Sequence, residues 1–128
     1  MIQQSFVFLF LLLIQSFGLK TNLNGGWRLT IDKCPQGNKL TGKDYNVTIP
    51  STFHLDLLKH DQIEDPFFGN NYPSLHWVSE CYITYSTNIS FDSHMGQQHI
   101  ELVFEGIDTY STISFNDKEV LTTKNAFI

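Results

Sequence analysis

Two carboxyl groups about 5 to 10 Å apart can work as a hydrolytic pair, one to move a proton and one to attack or to activate water. Asp56, Asp61, Glu64 and Asp65 form the densest acidic group in the chain, and Glu101 and Glu105 form a second. Asp56 flanks an apolar stripe, and the other three follow in polar turn positions. Carboxylates in such places are overwhelmingly solvated, so all four are expected at the surface. Glu101 and Glu105 alternate outward on an expected strand, and Glu105-Gly106-Ile107-Asp108 reads as a strand end with an Asp-stabilised turn. No catalytic residue is assigned in this chain.

Metal and nucleophile chemistry leave no clear trace either. The five histidines, His54, His60, His76, His94 and His99, form no HExxH and pair with no cysteine at zinc-finger spacing. They are expected as scattered surface or loop residues. The chain has no Gly-x-Ser-x-Gly, no Walker loop and no Gly-x-Gly-x-x-Gly. Cys81 opens a strand with nothing beside it to activate a thiol. No metal and no cofactor is expected.

The richest stretch is an aromatic loop. Phe67, Phe68, Tyr72 and Trp77 crowd around Asn70 and Asn71. Ring faces can stack on the C–H faces of sugars while amides bind hydroxyls, which makes Asn70, Asn71 and Tyr72 candidates to border a sugar pocket. Equally, the rings can plug the end of the domain or pack on a neighbouring one, and for most of them packing is the expected role.

Two sequons, Asn46-Val47-Thr48 and Asn88-Ile89-Ser90, offer N-glycosylation sites. The opening segment directs the chain to where that modification occurs. Met1 to Leu19 carry no charge, Phe6 to Ile14 is unbroken apolar sequence, and Ser16-Phe17-Gly18 places small residues for cleavage after Gly18. Residues 1–18 are expected to be a signal peptide. The apolar run is too short to span about 30 Å of hydrocarbon as a helix, so no membrane span is expected once it is removed. Cys34 and Cys81 then enter an oxidising compartment, where they form one disulfide or remain two thiols.

The elements that hold these groups are mostly strands. Trp27, Leu29 and Ile31 alternate with Arg28 and Thr30, and Tyr45, Val47 and Ile49 with Asn46 and Thr48. Pro50 ends the second run. Ser51 or Thr52 can cap a helix reaching His60, with Leu55, Leu57 and Leu58 as its apolar stripe. Pro66 and Pro73 bracket a long irregular loop. Ile83 to Phe91, Ile100 to Glu105, and Thr112 to Leu121 with a turn at Asn116-Asp117 read as further strands. Both sequon asparagines fall on polar strand faces, where a bulky glycan has room. Ala126-Phe127-Ile128 reads as the start of another strand, so the fold is expected to be incomplete at its C-terminus.

The chain has 128 residues, 41% apolar and 16% charged, enough for one domain with a sizeable core. The net charge of −5 and eight scattered Lys and Arg give no basic face for nucleic acid.

Two blocks carry a resemblance. The run His54-Leu55-Asp56-Leu57-Leu58, then Ile63-Glu64-Asp65-Pro66-Phe67, Asn71-Tyr72, Leu75 and Trp77-Val78, resembles the N-terminal domain of β-mannosidases of glycoside hydrolase family 2. Leu102-Val103-Phe104-Glu105-Gly106-Ile107-Asp108-Thr109, Phe115-Asn116 and Asn125-Ala126-Phe127 resemble the same domain in the same order. The departures are Ser51 and Asp117, where glycine is usual in the family, and Ile83, where tryptophan is common.

The resemblance implies an all-β fold, a galactose-binding-like jelly-roll β-sandwich with one short helix, over residues 19–128. It implies further β domains and a (β/α)8 barrel in the whole enzyme. That barrel supplies two glutamates for retaining hydrolysis of terminal non-reducing β-D-mannose in glycoprotein-derived glycans. The expected partners are the glycan substrate, met through the barrel, and the other domains of the same polypeptide, in a lysosomal or secreted protein. By itself the chain would lack the barrel and be inactive. A free-standing carbohydrate-binding module and an inactive truncated product are the alternative readings.

Overall fold

The computed structural model describes residues 21–35, 38–90 and 101–124. The expected signal peptide, Phe91, Ile100 and the closing Ala126-Phe127-Ile128 lie outside them. The chain forms two compact units, residues 1–89 and 90–128.

The first unit is built on a three-stranded antiparallel sheet in the order β2-β1-β3. Its strands are β1 (Trp27–Lys33), β2 (Asp44–Val47) and β3 (Tyr82–Ser86). Leu29 faces Tyr45 on one side and Tyr85 on the other, and Ile31 faces Ile83. The period of two therefore stacks Leu29, Ile31, Tyr45, Val47, Ile83 and Tyr85 on one face. Leu29, Ile31 and Val47 are buried there. The opposite face carries Arg28, Thr30, Asp44, Asn46, Thr84 and Ser86. It is laced by Thr30 Oγ1 donating to Asp44 Oδ1 (2.7 Å) and Thr84 Oγ1 donating to Asp32 Oδ2 (2.7 Å). The β1–β2 connection closes at Gly42, whose φ of 82° lies in the left-handed region that glycine enters without a Cβ clash.

Helix α1 (Phe53–Lys59) begins as its sequence predicts. Thr52 is extended, and its Oγ1 accepts from the Leu55 amide at 3.3 Å. His60 closes the helix, its amide bonding the Asp56 carbonyl. The face differs from the expected one. Leu55 is exposed, while Asp56 and Leu57 are buried. The inward stripe runs Phe53, Asp56, Leu57 and His60, an i, i+3, i+4, i+7 pattern, and Asp56 in its middle makes it read as polar. The expectation that Asp56 is a solvated surface charge is corrected: its exposure is 1%.

The expected irregular loop is also shorter. A 3-10 helix winds from Tyr72 to Glu80 with Pro73 in its first turn, burying Leu75 and Val78. Both join Ile31, Cys34, Leu40 and Leu57 in the core, with Tyr45, Phe53, Ile63, Trp77 and Cys81 packed against it. A disulfide joins Cys34, just past β1, to Cys81, just before β3.

β3 stops at Ser86, short of the expected Phe91. In the second unit, β4 (Ser111–Phe115) and β5 (Lys118–Thr123) form an antiparallel hairpin through Asn116 and Asp117. Both turn residues have positive φ, 48° and 63°, the backbone of a two-residue type I′ turn. Residues 101–110 form no strand, contrary to the expected Ile100–Glu105 element. Alternation marks a possible face, but a strand needs a ladder partner as well.

Candidate functional site

Two places concentrate functional groups. The first is the aromatic loop. Asp65 organises it: its Oδ1 accepts from the Phe67 amide (2.9 Å), and its carbonyl accepts from the Phe68 amide (3.1 Å) and from Asn71 Nδ2 (3.0 Å). Asn71 O in turn accepts from Ser74 Oγ (2.7 Å) and the Ser74 amide (3.0 Å), which starts the 3-10 helix. The Asn71 amide is thus engaged in holding the loop. Leu75 and Val78 anchor the far end in the core, and Trp77 packs against it.

The remaining rings do not plug their own domain. Phe67, Phe68 and Tyr72 are 93%, 77% and 69% exposed, and Asn70 beside them is exposed. Of the candidate trio, the loop therefore places Asn70 and Tyr72 outward and turns Asn71 back on Asp65.

The second place is a cavity of about 750 Å³ at the end of the sheet where β1 begins and β2 and β3 finish. Trp27, Arg28, Asn46, Lys59, His60 and Asn88 are among its lining residues, and Asp56 reaches it from α1. Asp56 is held on both oxygens: Oδ1 accepts from Ser51 Oγ (2.6 Å) and Oδ2 from the Tyr85 hydroxyl (2.7 Å). Burial pushes the Tyr85 phenol well above the usual tyrosine range, and the hydrogen bond and negative charge of Asp56 push it further. Ser51 is thus what satisfies one oxygen of the buried carboxylate. His60 Nε2 lies 3.0 Å from the Asn46 carbonyl, which can only accept, so this nitrogen carries the proton. Its ring rests on Tyr45 at 4.7 Å between centroids.

Among the described residues, Asp56 is the only carboxylate lining this cavity, and a glycosidase uses two. Glu101 and Glu105 are exposed and lie in the other unit. Among the described residues no cluster of three or more His, Cys, Asp or Glu could hold a metal ion. No helix among them is long and apolar enough to cross a membrane. Asn46 is exposed on β2, as its strand face predicts; Asn88 is exposed but lies past the end of β3.

Sequence reasoning did not find the Asp56–Tyr85–Ser51 cluster. The signal was the spacing Phe53, Asp56, Leu57, His60, which places one carboxylate on an otherwise buried helix face.

The sequence profile of the family described as glycosyl hydrolase 2 galactose-binding domain-like matches residues 27–128. The chain belongs to this family. As a galactose-binding-like domain it is all-β, and its antiparallel sheets with few helices agree with that class. Among curated proteins, β-mannosidase A of Emericella nidulans is 36% identical over 63% of this chain and 9% of its own length. β-Mannosidase of Mus musculus is 31% identical over 86% of this chain and 12% of its own length. β-Mannosidase B of Thermothelomyces thermophilus is 34% identical over 62% of this chain and 9% of its own length. This galactose-binding-like chain thus spans about a tenth of the curated relatives it matches. No solved structure matches it at a significant level.

Proposed function

We propose that this chain works as the N-terminal galactose-binding-like domain of a β-mannosidase, an enzyme that removes terminal non-reducing β-D-mannose from glycoprotein-derived glycans. The observation that carries the reading is the family match over residues 27–128 together with relatives named β-mannosidase in fungi and mammals. The chemistry would be retaining hydrolysis by two glutamates on a (β/α)8 barrel. The domain's part is then structural: it presents Phe67, Phe68 and Tyr72 to another domain of the same enzyme. Rings this exposed lose a large apolar area to water unless something covers them. In this reading Asn70 and Tyr72, exposed beside those rings, border the sugar site.

The route is secretory. Residues 1–18 act as a signal peptide, Asn46 and Asn88 carry glycans, the Cys34–Cys81 disulfide forms in the oxidising lumen, and the enzyme is lysosomal or secreted. A chimera tests the reading: residues 27–128 replace the matching segment of the mouse β-mannosidase. The expected result is a soluble protein that hydrolyses an aryl β-mannoside with retention of anomeric configuration. A folded chimera with no hydrolysis would count against it.

A further inference from the structure

The backbone just before β1 carries a reactive pair. Asn24-Gly25 is the single Asn-Gly in the 128-residue chain. Both residues are exposed, and a bend through Gly25 and Gly26 leads into β1. Among the described residues, nothing hydrogen-bonds the Asn24 side chain or the Gly25 amide. A Cβ at Gly25 would meet no atom within 4 Å, so the space around its nitrogen is open. Other asparagines lack one of these features. Asn46 and Asn88 precede the β-branched Val47 and Ile89, whose bulk crowds the next nitrogen. Asn71 Nδ2 donates to the Asp65 carbonyl (3.0 Å), and Asn38 Oδ1 accepts from the Leu40 amide (2.9 Å).

The same segment is a stitch. The Leu23 carbonyl accepts from Trp27 Nε1, and the Asn24 carbonyl accepts from the Ile49 amide at 2.8 Å. These bonds tie the chain ahead of β1 to the indole at the strand's start and to the residues that follow β2. Any chemistry at Asn24 therefore acts on a backbone group that holds two segments together.

We propose that Asn24-Gly25 is a spontaneous modification site, converting to aspartate and isoaspartate through a cyclic imide, and that the conversion loosens the stitch to Ile49. Base takes the Gly25 amide proton, and the nitrogen attacks Asn24 Cγ, unobstructed because glycine has no Cβ. The new N–Cγ bond forms, the Cγ–Nδ2 bond breaks, and ammonia leaves with a proton from solvent. Water then opens the imide. Breaking the bond to the side-chain carbonyl leaves aspartate. Breaking the bond to the backbone carbonyl leaves isoaspartate, with the main chain one methylene longer. In that product the carbonyl that held Ile49 becomes part of a free carboxylate, so a negative charge and an extra chain atom enter at the stitch. Attack requires the nitrogen to lose its proton, so the step runs at neutral pH and stalls in mild acid. The site thus ages the chain in neutral fluid and spares it in an acidic lumen.

The test ages the whole 128-residue chain at body temperature, at neutral and at mildly acidic pH, beside a synthetic peptide of residues 20–30. Digestion in acid and mass spectrometry with electron-transfer fragmentation then read aspartate and isoaspartate at each asparagine. The expected result is conversion at position 24 in the folded chain several-fold faster than at Asn38 or Asn70, with isoaspartate the main product. It should slow several-fold in mild acid and in Gly25→Ala, which the open space at that position accommodates. Hydrogen exchange at the Ile49 amide should quicken several-fold as conversion proceeds, and stay constant over the same period in Gly25→Ala. An Asn24 that persists in the folded chain while the peptide converts, or that converts no faster than Asn70, overturns the assignment of the site. Conversion with unchanged exchange at Ile49 overturns the loosening.

Discussion

The Tyr85 hydroxyl donates to Asp56 Oδ2 across 2.7 Å, tying the end of β3 to the middle of α1. It matters because a carboxylate at 1% exposure is costly without partners. Ser51 satisfies one oxygen and Tyr85 the other. Removing the hydroxyl should therefore strand half of the carboxylate. Tyr85→Phe is expected to destabilise the first unit by about 1.5–3 kcal/mol, the range for a hydrogen bond to a charged group. Urea unfolding followed by fluorescence of Trp27 and Trp77 reads the loss.

The same pair sets an alkaline limit. Burial first, and then Asp56, raise the Tyr85 pKa in the folded state, and burial raises that of Tyr45 as well. A raised pKa means the folded chain keeps protons that the unfolded chain gives up. Its contribution is therefore fully present below the unfolded value of about 10 and lost as pH rises above it. Stability should be insensitive to these two groups near neutrality and fall steeply above about pH 10. In Tyr85→Phe that fall should be shallower. Melting temperatures collected across that alkaline range, for both proteins, decide the point; parallel curves would contradict it.

The Cys34–Cys81 disulfide closes a loop of sequence separation 47. Chain entropy alone then gives about 4 kcal/mol of stabilisation. Its sulfurs sit within the core cluster, so Cys34→Ala with Cys81→Ala also removes packing. The double variant is expected to lose at least that much, and thermal unfolding with and without reductant should show the wild type converging on it.

At the hairpin, Asp117 holds a φ of 63°. A non-glycine residue pays about 1 kcal/mol or more for left-handed backbone, less for Asp with its local hydrogen bonding. Asp117→Gly should stabilise the turn by up to about 1 kcal/mol. Hydrogen exchange would show it as slower exchange of the Thr112 and Thr122 amides.

How much of this could be read from the residues depends on where they sit. The strands with clean alternation, β1, β2 and β4–β5, were legible because each buries or pairs one face. The Thr52 cap was legible because its chemistry is local. What escaped was set by tertiary partners. Asp56 reads as a surface charge until Ser51 and Tyr85, 29 residues away, are brought to it. Leu55 reads as core until the helix face is fixed by Phe53, Leu57 and His60. Leu102 and Phe104 alternate like a strand, yet lack a ladder. At the candidate site, the aromatic loop and both sequons were visible as motifs. Their meeting places were not: the exposure of Phe67 and Phe68, and the shared cavity of Asn46 and Asn88, depend on the register of three strands.

The most direct test of the central claim is to isolate the natural polypeptide that carries this chain. Antibody against residues 101–124 captures it from its source tissue, peptides covering residues 27–124 confirm it, and the captured material is assayed on an aryl β-mannoside. Hydrolysis that releases β-mannose and is depleted by the antibody is the predicted result. A captured polypeptide that leaves β-mannosides uncut, while the activity stays behind in the unbound fraction, would contradict the account.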